Sequence, residues 1–422
     1  MIKYIMSMIL ICITLFTIST IQHDIFLGEQ FETGAYKTGR YDNDLFYILF
    51  KARNKQVKSP PLLLWLNGGP GCSSFFGAFA ENGPLLITLT SPVNVTSNPY
   101  SWNNEFDIIY VDSPSGTGFS KLYADQCNDT NCTVKDIYVF LNKFFLEHTD
   151  YLGIDLYLAG ESYAAHYIPV LAEYILKQNT TLLFNLKGVA IGDGWFDGVS
   201  QMFGYSLFAY EKRLISFWRF IAAYAICIIA KLFFIFGYAE TGRYFSDTLG
   251  FNFIVNGKFD MYDYMRKELP PYEHSLIEFL NNPVVVETLN TTGRPYFKIG
   301  DNEACNETLY FSAEDDFESI VSRVQYMIDS NLKVLIYTGS YDAICNVKMQ
   351  ELWIKKLQWA GHDTLVYEPY INWIINSTVY GEYKKYQNFM HLVVYNASHM
   401  APIEQPYATL QMINHFVLDH IQ

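Results

Sequence analysis

The chain has 422 residues, 50% of them hydrophobic, so it can bury a large core, and 17% are aromatic, with 33 Tyr and 32 Phe. A net charge of −14 argues against nucleic acid as a partner. Neither an internal repeat nor a low-complexity linker divides it.

At the N-terminus Lys3 precedes an apolar run from Tyr4 to Phe16, followed by Thr17-Ile-Ser-Thr20. This order predicts a signal peptide over 1–20, cut near Ser19, with a mature domain over 21–422. Asn-x-Ser/Thr acceptors at Asn94, Asn128, Asn131, Asn179, Asn290, Asn306, Asn376 and Asn396 fit passage through a secretory lumen, with Asn128 and Asn131 too close for easy use of both. Of the seven cysteines, Cys12 lies in the leader and Cys127 and Cys132 close a short loop if paired. Cys72, Cys227, Cys305 and Cys345 remain, and sequence alone does not pair them.

Segments around Gln30–Tyr36 and Asp44–Lys51 alternate and predict an antiparallel pair. Pro61–Leu66 is a short continuous apolar run, hence a strand buried on both faces. Asn67-Gly-Gly-Pro-Gly-Cys-Ser-Ser74 follows, a glycine loop able to turn amide N–H groups toward a ligand. Asp107–Val111 is the next strand; the Gly116-Thr-Gly118 after it lacks the lysine and helix start of a nucleotide loop. A helix is predicted over Val134–His148 and a strand over Leu186–Ile191. The alternation implies a mostly parallel sheet with helices on both faces.

From about 199 to 271 the pattern changes. Leu214–Tyr238 is strongly apolar but interrupted by Arg219 and Lys231, too short a clean run for a comfortable span of ~20 residues. A single crossing would also put the two halves of the site below on opposite faces of a bilayer. The segment is therefore expected to be an inserted helical cap over the active site, with contact to a membrane left open and a membrane hairpin as the alternative. No stable membrane span is expected once the leader is removed. Beyond it, Lys333–Tyr337 and His391–Tyr395 predict strands, and a helix from about Gln405 to Leu418 closes the chain.

The chain is organised around Leu156-Tyr-Leu-Ala-Gly160-Glu-Ser162-Tyr-Ala-Ala-His166, an apolar strand run that passes through Gly-Glu-Ser into a helical pattern. In isolation a serine before a helix is more often a cap. Here Ser162 follows one strand, Asp342 a later one and His399 the last, the Ser…Asp…His order of α/β-hydrolases. Each lies just past the C-terminal end of its strand, where open α/β sheets place active sites.

With these residues in hand, the chain resembles the serine carboxypeptidase family. The matching stretches are Trp65–Ser74, Ser101-Trp-Asn103, Asp112-Ser-Pro with Gly116–Ser120, Gly160-Glu-Ser-Tyr163, Asp342-x-x-Cys345 and His399-Met400. Val394–Met400 with Asp342–Asn346 leans toward the branch that trims C-terminal Lys or Arg. The resemblance implies an α/β-hydrolase fold with Ser162 as nucleophile, His399 as base and Asp342 as its orienting acid. It places an oxyanion hole at the N–H groups of Gly69 and Tyr163. It assigns the substrate's α-carboxylate to Asn67, Gly68 and Glu161, with Trp65 and Glu81 in support. Glu161 suits that task only if it shares a proton with Glu81, since two close carboxyls do not both ionise cheaply; binding is then best below neutrality. The resemblance further implies Cys72–Cys305 and Cys127–Cys132 bonds, a free buried Cys345 and no cofactor or metal.

Ala165 and Ser398 stand where the family usually has Gly, and Asp193 where it has Asn. The expected partners are peptide or protein C-termini, with a homodimer left open, in a lysosome, vacuole or secreted fluid. A non-catalytic protective partner of luminal hydrolases and an acyltransferase on the same scaffold are the alternatives; the retained carboxylate grip favours the peptidase.

Overall fold

The computed structural model describes residues 25–56, 59–178, 182–297, 304–306 and 308–418. The expected leader over 1–20, Cys12 and the acceptor Asn179 lie outside these residues.

Strands β1 (Phe31–Lys37) and β2 (Asp44–Phe50) form the antiparallel pair expected at the start. β3 (Leu62–Leu66) precedes the glycine loop, and a small hairpin, β4 (Leu85–Ile87) with β5 (Val95–Ser97), follows it. β6 (Asp107–Val111) leads to helix α1 (Thr130–Glu147), which starts earlier than expected because Asp129 caps it, accepting a hydrogen bond from Cys132 N–H at 2.7 Å. β7 (Asp155–Glu161), α2 (Ala164–Leu176) and β8 (Asn185–Gly192) make the elbow unit. Helices α3 (Gly198–Glu211) and α4 (Phe217–Ile235) then stand between β8 and β9. The rest comprises α5 (Val321–Asp329), β9 (Lys333–Gly339), α6 (Val347–Ile354), β10 (Ile371–Ile375), β11 (Thr378–Tyr386), β12 (Phe389–Val394) and α7 (Pro406–Leu418).

Ten strands form one sheet in the order β1-β2-β6-β3-β7-β8-β9-β12-β11-β10. The stretch from β6 to β12 is parallel and both flanks are antiparallel. The β10–β11 hairpin extends the sheet beyond the strands read from sequence; its turn residues Asn376 and Ser377 both have positive φ, 49° and 66°, as a tight hairpin turn requires.

Residues on the central strands alternate between two cores because successive side chains point to opposite faces. On β3, Leu62, Leu64 and Leu66 join the core under α1 and α2, while Leu63 and Trp65 join the core with α7. β7 and β9 split the same way, Leu158 and Ile336 to one face, Tyr157 and Tyr337 to the other. A strand buried on both faces has nowhere to place a polar residue until it ends, so polar chemistry collects beyond its last residue.

Candidate active site

Between β7 and α2 only Ser162 and Tyr163 turn the chain. Ser162 has φ 59°, a left-handed conformation that costs a residue with a Cβ about 1–3 kcal/mol. Its surroundings hold it there. The Ser162 N–H donates to Gly192 O at 2.9 Å, and its carbonyl accepts from Ala165 N–H at 3.0 Å and Trp195 N–H at 3.2 Å. Gly160 gives the room, since a Cβ there would lie 2.3 Å from Leu66 O.

The glycine loop presses directly on this turn. A Cβ on Gly68 would sit 2.4 Å from Tyr163 N and 2.8 Å from Ser162 Cβ, so no other residue fits without displacement. Gly69 has φ 108°, which a side chain would resist. Beneath the loop lies Asp112, fully buried, accepting from Ser73 Oγ at 2.5 Å, Ser74 N–H at 3.1 Å and Phe119 N–H at 2.8 Å. Burial pushes its carboxyl up to about 7 against those hydrogen bonds. Cys72 is bonded to Cys305, reinforced by Ser73 N–H to Ala304 O at 2.9 Å and Asn306 N–H to Gly71 O at 2.9 Å. Cys127 is bonded to Cys132, and Cys227 and Cys345 are free and buried. Asn306, half-buried, commits its amide nitrogen to Gly116 O at 3.0 Å, which makes it a poor glycan acceptor beside the exposed Asn94, Asn128 and Asn290.

Asp342 and His399 leave the sheet from loops after β9 and β12, strands that adjoin each other and run parallel to β7 and β8. Hence all three residues lie off one edge. The two loops nearly touch, for a Cβ on Gly339 would meet Ser398 O at 2.0 Å. His399 Nδ1 lies 3.0 Å from Asp342 Oδ2, and Asp342 Oδ1 accepts from Ile344 N–H at 2.8 Å and Cys345 N–H at 3.1 Å. Asp342 is fully buried, so these donors replace water around its charge. The Cys345 sulfur, an Asp342 oxygen and a His399 nitrogen all lie within 4.8 Å of one another. Burial and the neighbouring Asp342 charge push the Cys345 thiol well above its usual range, which disfavours a thiolate.

A strap ahead of the final strands was not foreseen. His399 N–H donates to Tyr262 O at 2.9 Å, Ala343 N–H to Met261 O at 3.2 Å and Tyr264 N–H to Tyr341 O at 3.1 Å. Backbone from the inserted region is thus laced to both catalytic loops. No periodic pattern marks that stretch in the sequence. The buried supports Asp112 and Asp315 were also missed as supports, although Asp112 lies within a quoted motif. Asp315 accepts from Tyr163 Oη at 2.9 Å and Thr130 Oγ1 at 2.8 Å.

The residues expected to bind the substrate's carboxylate are brought together. Asn67 Nδ2 donates to Glu161 Oε1 at 2.9 Å and to Glu81 Oε1 at 3.1 Å, while its Oδ1 accepts from Trp65 Nε1 at 2.7 Å and Gly77 N–H at 3.2 Å. Those donors fix the Asn67 amide orientation. Glu81 Oε2 and Glu161 Oε2 are buried and receive no donor from the described residues. Two carboxyls so placed do not both ionise cheaply, which favours one of them keeping its proton. Burial pushes Glu81 up to about 7, and burial together with the Glu81 charge pushes Glu161 well up.

Two of the three departures have a local answer. Ala165 is fully buried, and the space its methyl takes is left by Gly194, whose own Cβ would be 2.9 Å away. Ser398 Oγ donates to Glu404 Oε2 at 2.8 Å. Asp193 accepts from Gly339 N–H at 2.8 Å, leaving Oδ2 buried without a donor; burial, then the Asp342 charge, push its carboxyl well up.

A family model described as serine carboxypeptidase matches residues 27–419. The chain is 34% identical over 390 residues to a serine carboxypeptidase-like protein of Oryza sativa subsp. japonica, covering 88% of this chain and 89% of that one. It is also 34% identical over 411 residues to carboxypeptidase Y of Schizosaccharomyces pombe, covering 89% of this chain but 40% of that longer protein. Kex1Δp, a prohormone-processing carboxypeptidase from Saccharomyces cerevisiae, superposes with a TM-score of 0.78 at 24% identity, over 95% of this chain and 93% of that one. That last likeness speaks for the fold, an α/β-hydrolase sheet. With a family model matching residues 27–419, and a relative 34% identical covered over 89% of its length, the chain belongs to the serine carboxypeptidase family of exopeptidase hydrolases.

Proposed function

We propose that this chain releases C-terminal residues from peptides or proteins through an acyl-enzyme formed on Ser162. With Nδ1 engaged by Asp342, His399 has Nε2 left to take the serine proton and return it to the departing amino acid. The N–H groups of Gly69 and Tyr163 carry the developing oxyanion, and losing one such donor costs about 3 kcal/mol of transition-state stabilisation. Asn67, Gly68 and the proton shared by Glu81 and Glu161 hold the substrate's terminal carboxylate.

The Asn67–Glu81–Glu161 cluster is the observation that carries this reading, because a buried carboxyl kept protonated by its neighbour can donate to a terminal carboxylate, which two ionised acids would repel. An acyltransferase has no need of it. The acid pair also favours working in a mildly acidic lumen, in line with the expected leader and a vacuolar, lysosomal or secreted destination. The test pairs a fluorophosphonate label with a blocked dipeptide offered as free acid and as C-terminal amide at about pH 5. Labelling at Ser162 with cleavage of the acid alone is the expected result. Equal cleavage of the amide removes the carboxylate grip, and absence of both labelling and cleavage favours a non-catalytic protective role.

A further inference from the structure

Helix α4 is built inside out. The residues it buries are small, Ala223, Cys227 and Ala230, and they pack toward α3 and the 244–251 turn of helix. One row of its large side chains faces water: Trp218 is 78% exposed and Ile235 64%, with Ile221, Ile228 and Leu232 close to half and Phe236, just past the helix end, 71%, while Phe220 and Phe234 pack partly on the core. Positions 218, 221, 228, 232 and 235 recur at helical spacing, so they form one stripe along the whole length of the helix. The helix is long and apolar enough to cross a membrane. It does not cross here, because Ser162 before it and Asp342 and His399 after it belong to one sheet edge. Gly237, at φ 78°, turns the chain back, and Gly242 packs against the Phe234 ring, where a Cβ would lie 2.8 Å away.

The charges around the stripe say what covers it. From Lys212 to Ala239 the chain carries Lys212, Arg213, Arg219 and Lys231 and no acid, within a protein of net charge −14. The acids that bound this stretch are already paired, Glu211 with Lys348 at 3.0 Å and Glu240 with Arg243 at 2.6 Å. A second copy of the chain docked face to face would bring cation against cation. An anionic lipid surface offers headgroups to the cations and acyl chains to the stripe, the arrangement of a helix lying in the plane of a membrane interface. We propose that α4 docks this enzyme on anionic membranes, its apolar stripe in the headgroup boundary and its catalytic domain in the lumen.

The test is flotation of the purified protein with vesicles of phosphatidylcholine alone or with about 20% phosphatidylserine. The wild type should float with the anionic vesicles. Combined Ile221→Asn, Ile228→Asn and Leu232→Gln should cut the bound fraction about tenfold while hydrolysis of a small blocked dipeptide stays unchanged. Lys212→Glu with Arg213→Glu should remove the preference for phosphatidylserine. Wild type left at the bottom of both gradients overturns the proposal, as does undiminished flotation of the triple variant. A dimer in sedimentation that the triple variant dissolves, without vesicle binding by either, shows instead that a second copy covers the face.

Discussion

At the catalytic edge, neighbours hold the backbone in conformations it would not choose: Ser162 is tied by Gly192, Ala165 and Trp195, and Gly68 lies against Tyr163 with no space for a methyl group. Helix α4 is specified differently. Its backbone needs no outside partner, its inner face is a row of small residues, and its outer stripe has no partner among the described residues. The first region owes its geometry to convergence from distant parts of the sequence, the second to local helix propensity. A substitution at the edge should therefore be felt as chemistry, and one on the outer face of α4 as a change of surroundings.

The largest expected effect is at the elbow. Ser162→Ala should lower kcat/KM by about 10⁴-fold or more while leaving the thermal midpoint nearly unchanged, because the hydroxyl contributes little packing. A variant that keeps near-native activity breaks the mechanism. Next comes Gly68→Ala, whose Cβ must displace Tyr163 N from 2.4 Å. A shift of about 1 Å at the oxyanion donors should cost ~100-fold in kcat with the fold intact by circular dichroism. Removing the Cys72–Cys305 bond by serine at both positions should cost ~2–5 kcal/mol of stability and lower kcat with it. Stability lost with kcat unchanged would mean that the bond serves the fold and not the loop.

The acid pair gives a smaller, pH-resolved effect. Folding raises the Glu81 carboxyl from the 4.5 of an unhindered glutamate to about 7, so the folded protein holds that proton more tightly than the unfolded chain. The pair's stabilisation is complete below 4.5 and fades as pH rises through about 7, and the proposed grip on substrate should weaken as pH rises through about 7. Glu161→Gln should flatten the rise of KM across that interval, measured with a peptide substrate, and leave kcat for an ester nearly unchanged. A KM profile that keeps its wild-type slope in this variant and in Glu81→Gln removes the shared proton. The smallest effect belongs to α4. Ile228→Asn should shift stability by no more than ~0.5 kcal/mol and leave small-peptide turnover as it was. A loss of turnover would show that the outer face communicates with the cleft.

The same contrast explains what was legible in the sequence. Buried strands, the glycine loop and the Ser…Asp…His order are local signals in chain order, and the structure places Ser162, Asp342 and His399 beyond three parallel strands of one sheet. The convergence of Asn67, Glu81 and Glu161 followed from resemblance, since nothing in their spacing brings them together. The strap at Met261–Tyr264 left no trace because it acts through backbone groups that every residue carries. Asp112 looked like part of a loop motif; only the fold shows that it gathers Ser73, Ser74 and Phe119. For α4, composition told that the segment was apolar, and folding alone decided that one row of its large side chains faces outward.

Finally, the Cys72–Cys305 bond sets an order of events. Cys72 emerges from the ribosome early, within the loop that presents Gly69, whereas its partner lies 233 residues further on. Until Cys305 has been synthesised and both thiols have met an oxidant, Gly69 hangs on an untethered glycine loop. Catalytic geometry is therefore a late acquisition, dated by translation and by the meeting of both thiols with an oxidant.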